Sequence, residues 1–139
     1  MELELLEEAV DKLIRSQDIE LYYAEYEFND PDTVVIRENK PAIIIININF
    51  ETNIPIVARK SHELSHVIYG SDEPSVYNFS IGLRNESEKI ANKGMVNILA
   101  KLAFYETPLE YRSPYKFMEA FHFPTLSYEK MVIEAIENV

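Results

Sequence analysis

Apolar positions set out the elements along the chain. Leu3, Leu6, Val10, Leu13 and Ile14 recur at helical spacing with acids on the opposite face, and predict a helix over Glu2–Ser16. Asp18–Phe28, rich in Tyr and Ile, reads as a strand. The turn signals Asn29-Asp30-Pro31-Asp32 and Glu38-Asn39-Lys40-Pro41 bracket a short strand over Thr33–Arg37. Ala42–Asn49 is a strong strand that contains four successive isoleucines, Ile43 to Ile46, a run that predicts burial on both faces. About three strands in an antiparallel meander are expected.

A helix is then predicted from Thr52-Asn53, either of which suits the N-cap, with Pro55 in its first turn. It runs to about Tyr69, where Gly70 ends it. Ser71–Arg84 reads as loop, Asn85–Phe104 as a second long helix, and Glu106-Thr107-Pro108 as its break. Two shorter helices, Ser113–Phe121 and Ser127–Glu137, are separated by His122-Phe123-Pro124. Strands followed by helices point to an α+β fold. The 139 residues suit a single domain, and no segment reads as a linker.

Composition narrows the chemistry. There is no cysteine, which excludes disulfides, thiolate metal sites and cysteine nucleophiles. The first residues are acidic and lack the apolar core of a signal peptide. No apolar run is long enough to span a membrane, so a soluble cytoplasmic protein is expected. With 24 acidic residues against 13 basic ones the net charge is −11. No basic patch offsets it, so direct nucleic-acid binding is disfavoured and a protein partner fits better.

The candidate chemistry lies in His62-Glu63-Leu64-Ser65-His66. Residues four apart share one helical face, so both imidazoles can reach one ion. Glu63, beside that face, can take a proton from a water on the metal. Val57, Leu64 and Ile68 form an apolar stripe next to it, and the small Ala58 leaves room one turn earlier. Two neutral imidazoles suit Zn²⁺, whose catalytic sites use three protein ligands and a water. The bland alternative is two surface histidines on an amphipathic helix.

A third ligand must come from elsewhere. Glu88 and Asn92 lie four apart on the next helix: Glu88 as ligand, Asn92 as hydrogen-bond partner to the far nitrogen of a ligating histidine. The alternative for Glu86 and Glu88 is a pair of favourable first-turn charges, and this is the preferred reading for Glu86. His122 is the remaining histidine, a candidate donor to a developing oxyanion, although its aromatic setting before Pro124 favours a structural role. Tyr69 and Tyr77 could donate similarly, but most of the nine tyrosines must serve packing.

The stretch from Ile54 to Gly70, followed by Glu88-x-x-Ala91-Asn92, resembles the ImmA/IrrE family of zinc metallopeptidases. The tail from Phe117 to Pro124 resembles that of short phage and prophage members. This likeness covers most of the chain. It implies a zincin-like fold, His62, His66 and Glu88 as zinc ligands, Glu63 as general base and Asn92 behind a ligand. It also implies a bacterial cytoplasmic setting and a helix-turn-helix repressor as partner, relieved by zinc-dependent cleavage. A non-hydrolytic anti-repressor that only grips the repressor is the rival reading, and a purely structural zinc site a third. Three departures stand out. Many members have Gly where this chain has Ser65, Ala where it has Ser61, and Phe-Ala where it has Gly94-Met95.

Overall fold

The computed structural model describes residues 2–83 and 85–139 and is α+β, with five helices and a mixed four-stranded sheet. In chain order the elements are α1 (Leu3–Ser16), β1 (Glu20–Ala24), β2 (Thr33–Ile36), β3 (Ile43–Asn47), α2 (Ile56–Tyr69), β4 (Ser75–Asn78), α3 (Glu86–Phe104), α4 (Pro114–Phe121) and α5 (Thr125–Glu137). Among the described residues no helix is long and apolar enough to cross a membrane.

The sheet departs from a meander. Its order is β1-β3-β2-β4, with β1 parallel to β3 and the other two pairings antiparallel. The chain therefore crosses from β1 past the position of β3 before it turns back. The fourth strand lies inside the stretch expected to be loop. Arg84, at the end of that stretch, is outside the described residues. In β3, Ile44 and Ile46 are fully buried while Ile43 and Ile45 are half-covered, so only one face of the isoleucine run meets the core.

α2 is the centre of the molecule. It packs on β2 and β3, on α1 and on α3, which in turn carries α5 and, through α5, α4. All ten residues from Val57 to His66 are buried, including Arg59, Lys60, Ser61, His62, Glu63 and Ser65. Only the end emerges, and Ile68, expected in the apolar stripe, is more than a third exposed. Leu6, Val10 and Ile14 of α1 and Met95, Val96 and Leu99 of α3 belong to the same core. In the tail, Phe117, Phe121, Phe123 and Tyr128 pack ring on ring.

The start of α2 differs from expectation. Pro55 is the N-cap, and Thr52 instead accepts a hydrogen bond from the Ile54 amide. Proline offers no N–H, and its extended ψ delivers the chain into the first turn. Gly70 ends the helix in an extended, not left-handed, conformation. Glycine is needed there for closeness, because a Cβ would lie 2.3 Å from the His66 carbonyl oxygen.

Candidate metal centre

His62 and His66 stand one turn apart on α2, their rings edge to face with centroids 5.0 Å apart. α3 supplies the third group. The Asn85 side chain caps that helix by accepting a hydrogen bond from the Glu88 amide at 2.8 Å. With its amide satisfied there, Glu88 turns its carboxylate inward. Its Oε2 lies 3.1 Å from His62 Nε2 and its Oε1 3.4 Å from His66 Nε2. One ligand atom from each of the three residues lies within 4.8 Å of the others, and together the three can hold a metal ion.

The spacing and the bonding state of these atoms fit such an ion. Two ligands on a tetrahedral zinc, each at 2.0–2.1 Å, stand about 3.3 Å apart. Among the described residues, the buried atoms His62 Nε2, His66 Nε2 and Glu88 Oε2 have no hydrogen-bond partner. Buried polar atoms are seldom left so, and a cation between these three would satisfy them.

Asn92 fixes the state of His62. Its Nδ2 donates to the carbonyls of Ser80 and Gly82 at 3.1 and 3.0 Å. The amide oxygen must then face His62 Nδ1, which lies 2.8 Å away. A carbonyl oxygen only accepts, so Nδ1 carries the ring proton and Nε2 presents a lone pair. Burial, first of all, holds the His62 pKa below the usual imidazole value and favours the neutral ring. Burial opposes ionisation of Glu88 as well, but when the two facing imidazoles are protonated their hydrogen bonds and charge outweigh it and bring its pKa to about 2.

Glu63 is fully buried, and among the described residues neither of its carboxylate oxygens has a hydrogen-bond partner. One of them lies 3.9 Å from His62 Nε2. Burial, then the charges of Asp32 and Glu88, push its pKa well above the usual carboxylate value. Burial and these charges thus favour the protonated form of Glu63 over the carboxylate.

Several neighbours were not foreseen from the sequence. Asp32 is fully buried, accepts a hydrogen bond from the Asn47 amide and lies 3.4 Å from Arg59 Nε. Lys60, also fully buried, binds Glu7 and Asp11 of α1 at 3.0 and 2.8 Å. The Glu7–Asp11 spacing of four on the acidic face of α1 was the available signal, but that face reads more simply as solvated. Tyr77 of β4, weighed from the sequence only as a candidate oxyanion donor, stacks flat on His66, with centroids 4.2 Å apart and planes 8° apart. Phe79 meets the His62 ring at 4.9 Å. Asn92 and Tyr128 then take up the carbonyls of Ser80, Ile81 and Gly82, so the segment after β4 forms a fixed wall.

The other sequence candidates are placed elsewhere. His122 caps the C-terminus of α4 in a left-handed conformation with its side chain exposed, and its hollow is lined by Asn53, Tyr115 and Glu119 rather than by the metal-centre residues. Tyr69 packs over Gly94 and lines a separate groove of about 690 Å³ between the end of α2, α3 and α5.

Compared with known protein families, curated proteins and solved structures, the chain matches none.

Proposed function

We propose that the chain is a zinc-dependent endopeptidase of zincin-like type, akin to the ImmA/IrrE family, that cleaves a helix-turn-helix repressor in a bacterial cytoplasm. The observation that carries this reading is the convergence of three unpartnered buried ligand atoms beside a fourth buried, unpartnered group, Glu63. Two nitrogens and one carboxylate oxygen form a donor set that suits zinc. When bound, zinc supplies a Lewis acid and brings the acidity of water to near neutrality.

The residues of the chain do the rest. Asn92 holds His62 in the tautomer that ligates through Nε2. Glu63 accepts a proton from the attacking water and passes it to the leaving amine of the peptide. Its raised pKa makes it a stronger base than an ordinary carboxylate once ionised. Tyr77 and Phe79 wall off the histidines and exclude bulk water.

One observation favours the rival, a non-hydrolytic anti-repressor with the metal centre as scaffold. His62 and Glu63 are fully buried, so a peptide reaches them only once the wall of Tyr77 and Phe79 moves. The two readings separate on the fate of the repressor. The chain is incubated with the repressor and the products are read by mass spectrometry, beside Glu63→Gln. Hydrolysis predicts discrete fragments that vanish in the variant. Fragments that persist with Glu63→Gln contradict the assignment of Glu63, and derepression by the variant without cutting supports gripping.

A further inference from the structure

The loop after β1 is exposed and yet tightly held. β1 is an open edge of the sheet, and the six residues that follow it, Glu25-Tyr26-Glu27-Phe28-Asn29-Asp30, are all exposed. Tyr26 and Phe28 are 52% and 59% exposed, and neighbouring Ile48 is 47% exposed. The fully buried Asn47 devotes its whole side chain to this loop and its continuation. Its oxygen accepts from the amides of Tyr26 and Asn49, and its Nδ2 donates to the carbonyls of Glu27 and Asp30. Asn49 Nδ2 donates to the Tyr26 carbonyl and the Glu51 amide to the Phe28 carbonyl. An exposed loop with this much backbone anchoring presents its rings at little entropic cost to a partner.

Charge singles out that partner. The loop carries the exposed acids Glu25, Glu27 and Asp30 and no basic residue, whereas Glu7, Asp11, Glu20 and Asp32 are already paired with Lys60, Arg37 and Arg59. Acids and rings alternate along the loop. That pattern suits arginine, whose guanidinium stacks on an aromatic face while it pairs with a carboxylate. It repels nucleic acid and acidic surfaces.

We propose that the Glu25–Asp30 loop, with Tyr26 and Phe28 as anchors and Ile48 beside them, is a preformed docking site for an arginine-bearing segment of a partner protein. The site adjoins the metal centre. Glu51 pairs with Phe28, the adjacent Phe50 meets Phe79 at 6.2 Å, and Phe79 meets His62. The loop is thereby linked through Glu51, Phe50 and Phe79 to the ring that covers His62. Docking stands without hydrolysis; the role of the loop as substrate anchor rests on the peptidase reading.

The test uses fluorescence anisotropy with the full chain and a labelled peptide of alternating arginine and leucine. Binding, not turnover, is read, so the outcome is separate from that of the peptidase reading. Tyr26→Ala with Phe28→Ala is expected to weaken binding about tenfold, the sum of two exposed cation–π contacts. Glu25→Gln with Glu27→Gln is expected to weaken it comparably, while Glu110→Gln with Glu137→Gln, equally exposed but distant in sequence, leaves it unchanged. Circular dichroism checks that all variants are folded. Wild-type affinity in the aromatic pair, or equal losses in both carboxylate pairs, overturns the proposal.

Discussion

Gly94 sits where α3 crosses α2, and Gly94→Ala tests how tightly that crossing is set. In an ordinary helix interior the change stabilises by about 1 kcal/mol. Here a Cβ would lie 1.9 Å from Ser65 Oγ and 2.5 Å from Tyr69 Cδ2, where ordinary contacts begin at 3.4 Å. Tyr69 is half-exposed and can swing outward, but Ser65 is fully buried and has little room to turn. Overpacking costs about 1–3 kcal/mol, and a 1.9 Å approach puts this case at the upper end, about 2–3 kcal/mol, which leaves a net loss of about 1–2 kcal/mol after the propensity gain. For a domain of this size that is a fall in Tm of roughly 3–10 °C, read by circular dichroism. Because the crossing also sets the distance from His62 and His66 to Glu88, metal affinity should fall with it. Ser65→Ala removes a buried hydroxyl that has no partner, so Ser65→Ala with Gly94→Ala should recover most of the loss. A Gly94→Ala protein that melts at or above wild type, or a double variant no better than the single, refutes the reasoning.

Two further perturbations probe the site. Asn92→Ala removes the acceptor from His62 Nδ1 and should weaken metal affinity about 10–100-fold in a competition titration. Glu63→Gln should raise the stability of metal-free protein, since a neutral amide replaces a buried, unpartnered carboxylate. The sign follows from a folded-state pKa raised above the unfolded value of 4.5. The folded protein then holds its proton more tightly than the unfolded chain, so wild-type stability falls as pH rises from about 4.5 through the raised folded value. The variant lacks that dependence, and the gap in denaturant midpoint should widen upward across that window.

What the sequence made legible was local. The spacing of His62 and His66 needs only a helix, and the spacing of Glu88 and Asn92 needs only a second one. The structure brings those four residues together as expected. Sheet order was hidden because β1 and β3 are partners with β2 between them in sequence, and local pattern carries no trace of a parallel pairing. β4 was hidden because Ser75-Val76-Tyr77-Asn78 is a short edge strand flanked by turn residues. With it went Tyr77, the ring that covers His66. Arg59 and Lys60 form only a small basic island in the sequence, and the partners that let them be buried are Asp32, just before β2, and Glu7 and Asp11 of α1. Gly94 stood out in the sequence only as a departure from the family pattern. It is instead the small partner of Ser65, so two of the departures from the ImmA/IrrE pattern meet at one contact.

The central claim is that His62, His66 and Glu88 hold zinc. The most direct measurement is elemental analysis of protein purified without chelators or a histidine tag, beside Glu88→Ala. The account predicts about one zinc per chain, reduced or lost in the variant. Protein with no zinc, and none taken up on addition near neutral pH, would contradict it.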